Sequence, residues 1–239
     1  MKFTLRLIDW QASAPGLTSA EEWQRWAAAP EVPDSELPLA KCSHLPMMTA
    51  RRLSSGSRAA VDCGLAVLKR QPVDALVFTS RHGELERNLR ILTAIASDQP
   101  LSPTDFAMSV HNTAAGWLTI IAKNTLPTTS LAAGEDSFQQ GMIEAQALLA
   151  TGSAQRVLLI DFDGTVPDVY RPFAPENTFP YAVALLLENG GSLHCKVAES
   201  AQVEASRREP QSMAFLRGWL GADDAFTVPG QRHDWVWGR

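Results

Sequence analysis

Residues 127–152 read PTTSLAAGEDSFQQGMIEAQALLATG. The threonine-rich opening predicts a short strand over Pro127–Ala132, because branched side chains fit a pleated surface. Gly134 supplies a turn residue. Ser137–Ala150 then predicts a helix, ended by Gly152. A strand, a tight turn and a helix in that order are the unit of a layered α/β fold.

The same alternation extends to both sides. Val73–Thr79 (VDALVFT) and Arg156–Asp161 (RVLLID) are short apolar runs of the buried-strand type. Helical spacing covers Ala50–Lys69, through Leu53, Ala60, Val61, Leu65 and Leu68. Gly83–Ser97 and His111–Lys123 also read as helices, Leu101–Val110 as a loop, and Pro210–Leu220 as a last helix. Lys2–Trp10 alternates like a strand. Thr18 or Ser19 caps a helix reaching Trp26 and Ala29, with Glu21 and Glu22 in its first turn. Trp23 and Trp26 are expected on one face of it. Prolines at 30, 33, 38 and 46 make 30–48 extended, and Pro167, Pro172 and Pro175 do the same for 164–178. Tyr181–Glu188 and Leu193–Glu199 flank Asn189-Gly190-Gly191, a hairpin turn signal. Asp234–Trp237 reads as a terminal strand or tail. The expectation is one domain over 1–239, with an irregular N-terminal arm (1–48) and a C-terminal hairpin and tail (165–239).

Composition narrows the function. The 239 residues are 45% hydrophobic, enough for a large core, and the net charge is −5. No basic block suggests nucleic acid. Cys42, Cys63 and Cys195 have neither metal nor redox spacing, so a reducing cytoplasm is expected. The N-terminus meets charge at Arg6 and Asp9, too early for a signal peptide, and no run is long enough to span a membrane. His44, His82, His111, His194 and His233 lack zinc spacing, so no metal or cofactor is expected. Arg51-Arg52 could meet phosphate, but a solvated helix start accounts for them.

One local motif points elsewhere. Asp161-Phe162-Asp163-Gly164-Thr165 follows a strand, and a strand ending in DxDGT resembles the nucleophile motif of Mg²⁺-dependent haloacid-dehalogenase-type phosphatases. Lys196 and Asp223-Asp224 could serve as that family's later motifs. Position argues against it: the motif normally opens the catalytic domain, and here it comes two thirds of the way along. Turn or cap formation is the plainer account of the acids.

From about 50 to 165 the chain resembles the N-terminal half of a β-ketoacyl synthase, a condensing enzyme of thiolase fold. The likeness rests on Ala50-Arg51-Arg52-Leu53 before the helix Gly56–Lys69, and on Leu76–Ser80 before Gly83-Glu84-Leu85. It rests also on Ser102-Pro103-Thr104-Asp105-Phe106 and Ser109-Val110-His111-Asn112-Thr113-Ala114-Ala115-Gly116, similar to the family's SP-x-x-F and S-V-H-N segments. Last come Pro127–Leu131, Ser137–Gly152 and Ala154–Gly164. The family carries a cysteine in an A-C-A-S-G turn before the helix, where the dipole favours a thiolate. Here that slot holds Glu135, or Asp136 on a one-residue shift, and capping is a sufficient account of both acids. The family's two catalytic histidines come from a C-terminal half this sequence does not contain.

The resemblance therefore implies half of a thiolase-like fold without catalytic residues, like the chain-length factors of type II polyketide and aryl polyene pathways. It implies a heterodimer or heterotetramer with an active ketosynthase, and contact with acyl carrier protein only indirectly. The interface strand would be about Thr125–Leu131, including Thr128, Thr129, Ser130 and Leu131. Phe106, Met108, His111, Asn112, Thr113 and Trp117 would wall an acyl tunnel, with ordinary core packing the competing account of Phe106, Met108 and Trp117. Decarboxylation of a malonyl group at the polar residue is a further, weaker implication.

Overall fold

A computed structural model describes residues 1–29, 31–174, 179–199 and 209–239. Pro30 and Pro175 of the two proline-rich loops lie outside the described residues. The strands are β1 (Lys2–Ser13), β2 (Ala75–Thr79), β3 (Thr128–Leu131), β4 (Arg156–Asp163), β5 (Tyr181–Glu199), β6 (Ala225–Val228) and β7 (His233–Gly238). The helices are α1 (Ala20–Ala28), α2 (Met47–Ala50), α3 (Ser55–Arg70), α4 (Leu85–Ala96), α5 (Pro103–Ala107), α6 (Thr113–Ala122), α7 (Ser137–Ala150) and α8 (Gln211–Leu220). All seven strands form one sheet in the order β3-β2-β4-β5-β7-β6, with β1 also on β5. β2 runs parallel to β3 and β4, and the other pairings are antiparallel.

Side-chain alternation divides each central strand between two cores. Val77, Leu159, Val183 and Leu185 face a cluster shared with α1, α7 and α8. Leu76, Phe78, Leu158, Ile160 and Leu186 face a second cluster shared with α3 and α6. Helices thus cover both faces, which is why these strands read as unbroken apolar runs. The α/β layered architecture expected from the sequence is the one found.

Several local expectations hold. Ser19 caps α1 in a reciprocal capping box with Glu22. Trp23 and Trp26 are buried edge to face, 5.2 Å between centroids. α7 spans Ser137–Ala150 as expected.

Others are corrected. The helix expected from Ala50 is broken into α2 and α3 by a turn at Arg51–Leu53, and Ser54 starts the second piece. The loop 101–110 contains α5, capped by Ser102. The irregular arm does not span 1–48 but is confined to 31–46, because before it β1 runs the length of β5 and α1 closes one core. Nor are 165–239 a hairpin and tail: they supply β5–β7 and α8, with Phe215 and Trp237 fully buried. The turn signal Asn189-Gly190-Gly191 does not reverse the chain. Leu5 pairs with Leu193 and Arg6 with Glu188, so 189–192 bulge out while β5 continues along β1. An even number of bulged residues keeps Leu187, Leu193 and Cys195 in the same core. The C-terminal hairpin that exists is β6–β7.

α7 lies close on the sheet at Gly141, where a Cβ would run into Thr79 and Leu159. Gly141→Ala is therefore expected to destabilise the chain by about 1–3 kcal/mol, measured by denaturant unfolding, because a packed interior cannot widen freely.

Candidate functional site

The turn joining β3 to α7 opens onto a small cleft at the carboxyl end of β2 and β4. Arg81, His82, Glu135, Asp161, Asp163, Tyr181 and Gln211 are among its lining residues, and its volume of about 60 Å³ admits a few waters. β4 places Asp161 and Asp163 at its floor, both buried. Asp161 accepts hydrogen bonds from Thr79 Oγ1 (2.5 Å), Ser212 Oγ (2.6 Å) and Tyr181 OH (3.2 Å). Asp163 accepts from Ser80 Oγ (2.6 Å) and from the amides of His82 (2.9 Å) and Arg81 (3.2 Å).

Burial decides the protonation of this pair. It pushes Asp161 up to about 6 and Asp163 up to about 7, against the opposing pull of the hydrogen bonds. The neighbouring Asp161 carboxyl raises Asp163 further. Burial and the Arg81 charge hold His82 down at about 4, and its buried Nε2 has no hydrogen-bond partner.

The turn itself departs from the capping account. Gly134 adopts φ +62°, a left-handed conformation suited to glycine. Ser137 Oγ donates to Gly134 O (2.7 Å) and accepts from Ala133 N–H (2.9 Å). Asp136 sits at the N-cap of α7 but caps nothing with its side chain. Its Oδ1 instead accepts from Gln211 Nε2 (2.8 Å) and Gln231 N–H (3.2 Å). Glu135 turns toward Arg81, 3.9 Å away.

The phosphatase reading finds no support. Hydroxyls and amides occupy the oxygens of Asp161 and Asp163, and among the described residues no three His, Cys, Asp or Glu side chains form a metal-binding group. Lys196 stands at the far end of β5, among the residues of a separate groove. No cysteine is among the residues lining the cleft. Burial raises all three thiols, Cys195 to about 12, which is the reverse of what a nucleophile needs.

The residues expected to wall a tunnel divide. Met108 and Thr113 are buried, Thr113 donating to Met108 O (3.0 Å) and Val110 O (2.8 Å). Trp117 is half-buried against the core. His111 binds Ser80 O through Nε2 (3.0 Å), joining this segment to the cleft. Asn112 is exposed, and Phe106 is 69% exposed on α5. A buried network that sequence reading missed fixes α5. Arg87 reaches Glu84, Asp105 and Arg52 O, and Glu84 also accepts from Ser54 and Ser57. The family-like Asp105 and Glu84 were visible, but Arg87 carried no signal.

β3 is the edge of the sheet. Leu76 N–H donates to Pro127 O (2.9 Å) and Ser80 N–H to Leu131 O (3.2 Å). The odd-numbered residues thus turn their main chain toward β2, and Thr128 and Ser130 turn theirs outward. Phe106 of α5, Ile120 of α6 and Val110 between those two helices are exposed.

Comparison with known proteins decides the family. The beta-ketoacyl synthase N-terminal domain matches residues 23–238. The chain belongs to this family. A ketosynthase-family chain in the complex of ApeO with its chain length factor ApeC, from Xenorhabdus doucetiae, is 53% identical. The match covers 99% of this chain and 100% of that one, with a TM-score of 0.94. The ishigamide ketosynthase/chain length factor is 16% identical over 83% of this chain and 68% of that chain, with a TM-score of 0.65. A β-ketoacyl synthase from Burkholderia phymatum is 14% identical over 76% and 57%, with a TM-score of 0.53. These last two share the fold. No curated protein matches. Among the described residues, no helix of this ketosynthase-family chain is long and apolar enough to cross a membrane.

The raised carboxyls fix a pH dependence. Their folded values lie above the ordinary 3.8, so the stability they contribute is present in acid and lost as pH rises through 6 to 7. His82 acts oppositely, losing stability as pH falls from 6.5 toward 4, but it binds one proton against the pair's two. Unfolding free energy is expected to fall between about pH 4 and 7, by up to about 1.4 kcal/mol per pH unit for each proton released, and to level off above that. Asp163→Asn should flatten that limb in denaturant titrations at stepped pH.

Proposed function

We propose that this chain is a non-catalytic, chain-length-factor-like subunit that heterodimerises with an active β-ketoacyl synthase. It shapes the partner's acyl tunnel in polyketide biosynthesis of the aryl polyene type, and acyl carrier protein meets it only through that partner. The observation that carries the reading is the turn Ala132–Asp136: where the family holds its nucleophile there are two carboxylates, engaged with Arg81, Gln211 and Gln231. A carboxylate cannot carry the acyl group as a thioester, and the hydroxyls of Tyr181 and Ser137 that line the cleft already donate to Asp161 and to Gly134 O. The likeness to a ketosynthase–chain length factor complex supports the same role.

The outward main chain of Thr128 and Ser130 is the pairing edge in this reading, and the exposed Phe106, Val110 and Ile120 are the apolar surface beside it. Phe106 reaches the partner's tunnel. Met108 and Thr113 serve it as scaffold, holding the segment that carries His111 and Asn112.

Co-expression with the ketosynthase of its own pathway should yield a stable 1:1 unit. Ser130→Pro removes one outward N–H at an edge that tolerates proline within the chain. The complex should be lost on gel filtration while the isolated chain keeps its circular dichroism. A chain that stays monomeric beside the ketosynthase sinks the proposal. In the reconstituted complex, Phe106→Ala should lengthen the products seen by mass spectrometry; an unchanged distribution removes the tunnel role.

A further inference from the structure

A second surface lies far from the cleft, where β1, the end of β5, β7 and β6 run side by side. Register puts Lys2 directly opposite Lys196, and Thr4 opposite His194. On the next strand Val236 pairs with Lys196 and Gly238 with His194, and Ala225 of β6 follows Gly238. Paired residues in a sheet share a face, so these side chains stand together. Phe3, Cys195 and Trp237 alternate with them and point into the core.

Lys2, His194 and Lys196 are all exposed, and among the described residues none of their side chains has a hydrogen bond or an ion pair. Like charges directly opposite on neighbouring strands are unfavourable. Among the described residues no carboxylate lines the groove that they border, although the chain carries a net −5. The floor between the cations is small and apolar: Val236, Gly238 and Ala225. The groove volume is about 650 Å³.

We propose that this face docks an acidic amphipathic helix of a protein partner, distinct from the edge at β3. The chemistry selects that occupant. Four strands present a strip roughly 15 Å wide, and a helix about 10 Å across lies on it. Its apolar side meets Val236 and Ala225, and its carboxylates reach the two opposed lysines. Flexible lysines on a sheet face lack the converging amides of a phosphate site, so a free phosphate is the poorer match.

The test uses the full chain and a synthetic amphipathic helix with glutamates along one edge and leucines along its face, followed by fluorescence anisotropy. Binding should weaken about tenfold or more, roughly 1.4 kcal/mol, in the Lys2→Glu/Lys196→Glu double variant. It should weaken with added salt and persist in Lys2→Arg. Because both lysines are exposed, the double variant should keep its circular dichroism and its ketosynthase complex, which separates this surface from the proposed heterodimer. Lys196→Gln alone gives the same comparison should the double variant unfold. Absent binding, binding unchanged by these variants, or full displacement by micromolar inorganic phosphate would each overturn the proposal.

Discussion

Two buried carboxyl groups hold together the carboxyl end of the sheet. Asp161 gathers Thr79 of β2, Tyr181 of β5 and Ser212 of α8, and Asp163 gathers Ser80 with the amides of Arg81 and His82. Ionising both at once beneath a packed sheet is costly, so the site retains protons that exposed carboxyls would release. The segment from Ser80 to His82, fixed by Asp163, leads directly into Glu84 and Arg87. Those two hold the start of α3 and the helix α5. A hydrogen-bonded path thus runs from the floor of the cleft to Phe106 on the surface.

The acids after β3 join the same scheme of contacts. Asp136 ties the start of α7 to α8 and to the loop before β7, and Glu135 faces Arg81. Each is engaged in a contact between segments distant in sequence. A cysteine at that turn would have neither the charge nor the reach for these contacts. In this reading the loss of the nucleophile and the closure of the cleft are one change: the carboxylates that end the chemistry also fasten the loops around it.

The fold was legible wherever one period dominated. The apolar runs of β2 and β4 and the helix Ser137–Ala150 needed only their own residues. Asn189-Gly190-Gly191 misled because local turn preference says nothing about a partner strand. β1 is long enough to pair with both halves of β5, and continuous pairing outweighs the turn. Asp161-Phe162-Asp163-Gly164-Thr165 was equally uninformative about its surroundings, since five residues cannot reveal that hydroxyls from β2, β5 and α8 will converge on the acids. Arg87 was invisible because, besides Glu84 at the start of its own helix, its partners lie on two other segments. The family resemblance found the β3–α7 unit and the α5–α6 segment but not which of their residues face inward, as Met108 and Phe106 demonstrate.

The two exposed regions of the sheet differ in a way that bears on assembly. At β3 the uncovered groups are main-chain donors and acceptors, and in the proposed assembly the exposed Phe106, Val110 and Ile120 act with them. Such a surface is satisfied by another strand and another apolar face. At the far end of β5 the main chain is already paired with β1 and β7, and what stands free is charge, with two lysines held opposite each other by register. Strand addition cannot relieve that repulsion; only opposite charge can. A partner suited to one region is therefore unsuited to the other, and on the two proposals the chain meets partners of different chemistry at separate places.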